Sequence, residues 1–102
     1  MATFHEAARV EEIPPGKAKV VQLQGKKIAI FNVDGQFYAI DDTCTHEDAS
    51  LAEGELDGTV VECPKHGARF DLKTGKNLSL PAVFPVNAYQ IKIENNTIYL
   101  GL

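Results

Sequence analysis

This chain of 102 residues has little cysteine and no long apolar run. Its longest apolar runs, such as residues 28–31, are far shorter than the roughly 20 residues that a membrane-spanning helix requires. The first residues also lack the basic and apolar segments of a signal peptide. We therefore expect a cytoplasmic protein, in which the two cysteines stay reduced and available as metal ligands rather than joined in a disulfide.

Positive charge is missing from a long central stretch of the chain. Lysine and arginine total 10 against 14 acidic residues, and the formal net charge of -4 argues against nucleic acid or an anionic membrane as a partner. Residues 28–64 contain no lysine or arginine but nine acids: Asp34, Asp41, Asp42, Glu47, Asp48, Glu53, Glu55, Asp57 and Glu62. This stretch is either a solvated acidic face or a negative collar that attracts a positively charged partner, and the sequence leaves both open.

Sustained helical periodicity is also absent, and short strand-like segments separated by turns occur instead. Asp34-Gly35 between apolar segments predicts a two-residue hairpin turn, and Asp57-Gly58 and Asn95-Asn96 mark further turns. The segments predicted as strands are 3–9, 18–23, 27–33, 36–41, 59–62, 68–71, 86–94 and 97–100. This spacing indicates one all-β domain over residues 1–102, an antiparallel sandwich or small barrel.

The two cysteines lie in paired motifs, Cys44-Thr45-His46 and, after sixteen further residues, Cys63-Pro64-Lys65-His66. A cysteine and a histidine on each of two loops predict a four-ligand metal site, because thiolate with imidazole suits zinc or an iron–sulfur centre. The single residue between Cys44 and His46 is a tighter spacing than structural zinc sites usually have. The spacing therefore favours a [2Fe–2S] cluster and leaves a structural zinc ion open.

The two motifs resemble those of Rieske iron–sulfur proteins. The likeness spans nearly the whole chain and includes Gly54, 56–58, Phe70, 74–75 and 80–82. It is closest to the small soluble ferredoxins of bacterial aromatic-ring dioxygenase systems. The resemblance implies a Rieske-like antiparallel β-sandwich or small barrel with a two-loop cluster-binding end. It also implies one [2Fe–2S] cluster, with the inner iron on Cys44 and Cys63 and the outer iron on His46 and His66.

The same resemblance identifies residues that surround the cluster, namely Lys65, Gly67, Ala68, Phe70 and Pro81. High-potential relatives carry a disulfide between the loops, where this chain has Ala49 and Lys65, and they direct serine and tyrosine hydroxyls at the cluster sulfurs. Ala68 and Phe70 stand at those two positions, and neither can donate a hydrogen bond. We therefore expect a low potential, below about 0 mV and toward the roughly −150 mV end of the Rieske range.

By this resemblance the protein is a one-electron carrier in aromatic hydrocarbon catabolism. It would pass electrons from an NAD(P)H-dependent flavoprotein reductase to a Rieske non-haem iron oxygenase through transient contacts. An oxygenase in miniature is disfavoured, because a mononuclear iron needs two more histidines and a carboxylate, and only His5 remains. The alternatives are a small Rieske subunit of a nitrite-reductase-like enzyme and a structural zinc-binding module.

Overall fold

Nine antiparallel strands form two sheets across the residues that the computed structural model describes, 3–43, 49–64, 67–78 and 84–102. The strands are β1 (Phe4–Arg9), β2 (Ala18–Leu23), β3 (Lys26–Val33), β4 (Gln36–Asp41), β5 (Glu55–Asp57), β6 (Val60–Glu62), β7 (Arg69–Asp71), β8 (Ala88–Glu94) and β9 (Thr97–Gly101). Single turns of 3-10 helix occupy Val10–Glu12 and Leu51–Glu53. Within these ranges no helix is long and apolar enough to cross a membrane.

The larger sheet has the strand order β1-β9-β8-β4-β3-β2 and curls almost into a barrel. Side chains bridge the seam between its two edge strands. The Nε2 atoms of His5 in β1 and Gln24 after β2 are 3.1 Å apart, and Lys19 in β2 donates to Glu12 at 2.6 Å. The prediction of an all-β antiparallel barrel is confirmed.

The smaller sheet, β5-β6-β7, belongs to an excursion from this barrel. β4 pairs with β8, with Ala39 opposite Tyr89 and Ile40 opposite Ala88. The chain therefore leaves the barrel after β4 and returns to a neighbouring strand. Residues 42–87 lie between these two points, and both predicted ligand motifs fall within them.

β3 is buried on both faces, which explains its unbroken apolar run. Ile28 and Ile30 point into the barrel core, whereas Ala29 and Phe31 point to a second core beneath the smaller sheet. The barrel core contains Ala8, Ile13, Val21, Ile28, Ile30, Ala39, Ile98 and Leu100. The second core contains Ala29, Phe31, Ile40, Leu51, Val61, Cys63, Ala68, Phe70, Leu72 and Val86.

The predicted turns and most predicted strands are found with small shifts. Asp34 and Gly35 both have positive φ, 52° and 90°, as do Asn95 and Asn96 at the last hairpin. This is the backbone that two-residue hairpin loops need. β5 was not predicted, because three residues are too few to show alternation. The predicted strand at 86–94 begins only at Ala88, because the Val86 N–H donates to Gly75 O at 2.9 Å.

Candidate metal centre

The second predicted ligand loop is a tight connection between β6 and β7. Cys63 follows β6, and its N–H donates to Ala68 O at 2.6 Å, while the Gly67 N–H donates back to Cys63 O at 3.1 Å. Gly67 has φ of 74°, a left-handed conformation that favours glycine. Lys65 and His66 lie outside the described residues. The base of this loop is therefore closed by two main-chain hydrogen bonds.

The first predicted ligand loop is closed at its base in a similar way. Thr43 pairs with Ser50 in an antiparallel bridge, and the Leu51 N–H donates to Asp42 O at 2.6 Å. The Asp42 carboxylate accepts from the Ser50 hydroxyl at 2.8 Å and from the Ala52 N–H at 3.0 Å. The expected ligands of this loop, Cys44 and His46, fall at 44–48, outside the described residues.

Both loop bases rest on the same core. Cys63, Ala68 and Leu51 belong to one buried cluster, and Ala49 packs against it from the end of the first loop. Cys63 is only 2% exposed. A site with ligands from two loops requires this convergence, because each loop supplies only two of the four ligands.

A third segment runs beside the second loop. Residues 76–78 lie along β7, since the Asp71 N–H donates to Lys76 O at 2.9 Å and the Leu78 N–H donates to Arg69 O at 2.8 Å. The bond from Val86 to Gly75 closes the other end of this segment. Pro81, predicted to cover the cluster, lies within 79–83 and outside the described residues.

The residues predicted to surround the cluster are apolar where the structure describes them. Ala68 and Phe70 are fully buried, and their side chains carry no polar atom. A Cβ built on Gly67 would lie 4.0 Å from Cδ of Glu62, so this side chain is near the glycine. Within the described residues no three His, Cys, Asp or Glu side chains converge as a metal site, because Cys63 is the one expected ligand that these ranges include.

Carboxylates line the surface next to Cys63. A depression of about 270 Å³ is lined by Glu53, Glu55, Glu62, Cys63, Pro64 and Gly67. Arg69 offsets part of this charge, with its Nε 3.6 Å from Glu62 and its Nη2 3.3 Å from Asp57. Three of the nine acids of the cation-free stretch thus lie beside the second loop, which is the arrangement that a negative collar requires.

Asp41 and Asp42 were seen in the sequence only as acidic residues, and the structure gives both a specific place. Asp41 accepts from the Asn87 N–H at 3.0 Å and from the Tyr89 hydroxyl at 2.5 Å, which ties the end of β4 to the returning chain. Burial, together with Asp41, raises the pKa of Tyr89 to about 12, so this hydroxyl keeps its proton at neutral pH. In the sequence, the only sign of these roles is that Asp41 and Asp42 stand between a predicted strand and the first motif.

The chain matches known proteins over most of its length. The family model of the Rieske [2Fe-2S] domain matches residues 3–90. The biphenyl dioxygenase ferredoxin subunit of Pseudomonas sp. strain KKS102 is 48% identical over 97 residues, covering 94% of this chain and 89% of that protein. The structure of a Sphingomonas yanoikuyae B1 ferredoxin superimposes with a TM-score of 0.91 at 32% identity, over 98% of this chain and 99% of that one.

A further match is one chain of the complex of reduced oxygenase and oxidized ferredoxin in carbazole 1,9a-dioxygenase. It superimposes with a TM-score of 0.88 at 36% identity, covering 96% of this chain and 92% of that chain.

Proposed function

This chain belongs to the Rieske [2Fe-2S] domain family, and from that premise we propose that it carries electrons to the terminal oxygenase of an aromatic-ring dioxygenase system. The observation that carries the proposal is its likeness, along almost the whole chain, to the ferredoxin subunit of biphenyl dioxygenase. Such subunits are electron carriers rather than catalysts, and the sequence-based prediction of a Rieske ferredoxin with one [2Fe–2S] cluster is confirmed by these matches. An NAD(P)H-dependent flavoprotein reductase is the proposed electron donor.

We propose that Cys44 and Cys63 hold the inner iron and that His46 and His66 hold the outer iron. The buried position of Cys63 and the convergence of the two loop bases support this assignment. When bound, the cluster supplies a centre that gains and loses one electron, and imidazole ligands give it a higher potential than four thiolates would. The fit is chemical as well as geometric, because a buried thiolate needs a metal or another positive partner.

Residues that surround the proposed cluster site would influence its reduction potential. The buried side chains of Ala68 and Phe70 would exclude water from the side of Cys63 and have no donor to offer the sulfurs, which favours a low potential. Gly67 lets the main chain turn close to the expected position of His66. Lys65 and Pro81 are proposed to complete the surroundings at the protein surface.

The proposed docking surface is the end of the molecule that carries the two loops. An electron carrier must bring its cluster close to each partner in turn, and Glu53, Glu55 and Glu62 would draw positively charged partners to this end. The proposed location is the cytoplasm, where NAD(P)H is available to the reductase. Ferredoxin and oxygenase do associate in the carbazole 1,9a-dioxygenase complex, which supports the same kind of contact here.

The test is an EPR spectrum of the dithionite-reduced protein, with iron, sulfide and zinc assays on the same sample. We expect two irons and two sulfides per chain and a rhombic signal whose average g lies below that of an all-cysteine cluster. His46→Cys and His66→Cys should each move that signal toward the all-cysteine type or abolish it. One zinc per chain with no EPR signal would instead identify a structural zinc site.

The electron-carrier role is tested separately by reconstitution. The loaded protein, mixed with a biphenyl-dioxygenase-type reductase, NADH and terminal oxygenase, should reduce the oxygenase at a rate proportional to its own concentration. A protein that carries the cluster yet leaves the oxygenase oxidised would assign it to a different electron-transfer chain, such as a nitrite-reductase-like enzyme.

A further inference from the structure

Asp42 is the one acidic residue that is buried among the described residues, with only 5% of its surface exposed. Its hydrogen bonds to the described residues all join it to neutral groups. One carboxylate oxygen, Oδ1, accepts from both the Ser50 hydroxyl and the Ala52 N–H. Replacing a buried carboxylate that accepts several hydrogen bonds lowers stability, because each donor loses its partner.

The main chain of Asp42 adds two more hydrogen bonds in opposite directions. Its N–H donates to Lys27 O at 3.0 Å, which fixes it to the barrel, and its carbonyl accepts from the Leu51 N–H at 2.6 Å, which fixes it to the returning limb of the first loop. Asp42 therefore joins three parts of the molecule: strand β3, the end of strand β4 and residues 50–52. Leu51 in turn is fully buried in the core that contains Cys63.

These contacts surround the first ligand loop. Thr43 and Ser50 pair at its base, so only residues 44–49 span the loop, and Cys44 follows Asp42 by two positions. Since consecutive Cα atoms are 3.8 Å apart, a shift of Asp42 is transmitted to Cys44 over less than about 8 Å of chain. We propose that Asp42 is a positioning residue, which holds the first loop so that Cys44 and His46 meet the pair from the second loop.

This inference rests on the proposed ligand set and adds a residue that touches neither iron nor sulfide. The positioning role accounts for a buried acid at this place, because water could otherwise have accepted the hydrogen bonds of Ser50 and Ala52. A side chain that accepts from two residues of the returning limb fixes the width of the loop, and metal sites depend on such fixed ligand geometry.

The experiment compares the cluster-loaded wild type with Asp42→Ala and Asp42→Asn. The measured quantities are the rate of cluster loss to an excess of chelator, followed by visible absorption, and the EPR line shape of the reduced protein. Asp42→Ala should lose the cluster about tenfold faster or more, since two partly buried donors lose their acceptor, and should show broadened g features. Asp42→Asn keeps an acceptor oxygen and should restore most of the wild-type lifetime and line shape.

Asn32→Ala is the matched control. Asn32 is a buried polar residue, 4% exposed, whose amide also makes two hydrogen bonds, to Ile13 O and from the Gly35 N–H. It lies by the β3–β4 turn, at the other end of the barrel. Asn32→Ala should lower the unfolding midpoint but leave the EPR line shape unchanged and cluster loss within about twofold of wild type.

The outcomes separate the two proposals. Wild-type line shape and cluster lifetime in Asp42→Ala would overturn the positioning role and leave the ligand assignment standing. An equal change in Asn32→Ala would show a general loss of stability, and would also overturn it. Wild-type protein without iron or sulfide would contradict the proposed ligand set itself. If Asp42→Ala does not fold, Ser50→Ala, which removes a single donor, should give an intermediate cluster lifetime, and a wild-type value would refute the proposal.

Discussion

At the scale of single residues, two side chains near Cys63 matter because they have no polar atom. Ala68 and Phe70 are fully buried on the side of the core that contains Cys63. Hydrogen bonds to cluster sulfurs stabilise the reduced state, because reduction adds negative charge that a donor can meet. Because the side chains of Ala68 and Phe70 have no donor, we expect a low potential, which would suit a carrier that receives electrons from NAD(P)H through a reductase.

Ala68→Ser should raise the midpoint potential. If the new hydroxyl favours the reduced state by about 1.4 kcal/mol, a one-electron potential rises by about 59 mV. The measurement is a spectroelectrochemical titration, with Ala39→Ser as control, since Ala39 is 1% exposed but lies in the barrel core. The control should keep the wild-type potential. A wild-type midpoint above about +100 mV, or equal shifts in both variants, would contradict this explanation of the potential.

Residue identity alone predicted the candidate ligands but not their supports. Cys44, His46, Cys63 and His66 stand out because their types and spacing are unusual, whereas Asp41 and Asp42 look like two more acids in an acidic stretch. Asp41 bonds to Asn87 and Tyr89, which are distant in sequence. Asp42 bonds to Ser50 and Ala52, which lie across the first loop. Contacts of this kind arise from the folded topology and leave no local pattern.

At the scale of elements, the segment from Leu51 to β5 must pass very close to β6. Gly54 marks the approach, because a Cβ built on it would lie far inside contact distance of the Glu62 carbonyl oxygen, one residue before Cys63. The constraint at Gly54 is one of space, since its φ of −77° is available to any residue. Glycine at position 54 lets the chain before β5 pack against β6, the strand that leads to the proposed ligand Cys63.

Gly54→Ala should destabilise the fold by about 1–3 kcal/mol, the usual cost of forcing extra atoms into a packed site, and should reduce the iron content of purified protein. Gly58→Ala is the control. It lies in the β5–β6 turn with φ of 60° and open space around its Cβ position, so it should cost only about 1–2 kcal/mol of backbone strain and leave the iron content unchanged. Denaturant unfolding and iron assays measure both. Full iron occupancy in Gly54→Ala would show that β6 tolerates displacement.

The sequence predicted the long strands of the barrel better than the short ones of the excursion. The apolar run of β3 and the Asp34-Gly35 turn predicted β3 and β4 within a residue of their observed bounds. β5, β6 and β7 have three residues each, so their limits are set by pairing with one another rather than by any pattern in the chain. The returning segment before Ala88 was predicted as strand, but tertiary hydrogen bonds take up its donors.

At the scale of the whole molecule, acidic residues lie both beside the proposed docking end and far from it. Glu53, Glu55 and Glu62 adjoin Cys63 at the end that carries the loops. Asp34 lies at the opposite end of the barrel, in the exposed β3–β4 turn. Charge near the docking end accelerates encounter with an oppositely charged partner, and salt screens the effect over roughly 8–10 Å.

Electron transfer to the oxygenase should slow as ionic strength rises. Glu55→Gln should lower the second-order rate at low salt by roughly two- to fivefold and flatten its salt dependence, because one exposed charge contributes at most about 1 kcal/mol. Asp34→Asn removes the same charge at the far end and should change neither. Stopped-flow reduction of the oxygenase at several salt concentrations measures this. Rates that are indifferent to salt would mean that the acidic residues form only a solvated face.

The excursion between β4 and β8 has a consequence for how this architecture can be altered. Its two ends enter adjacent, hydrogen-bonded strands, so the chain leaves and re-enters the barrel at neighbouring positions, and the described part of residues 42–87 packs on β3 through the second core. We therefore expect a loop that is lengthened or exchanged inside that segment to leave the pairing of β4 with β8 unchanged. In such an architecture the two proposed ligand loops could differ between relatives while the order of the six barrel strands stays the same.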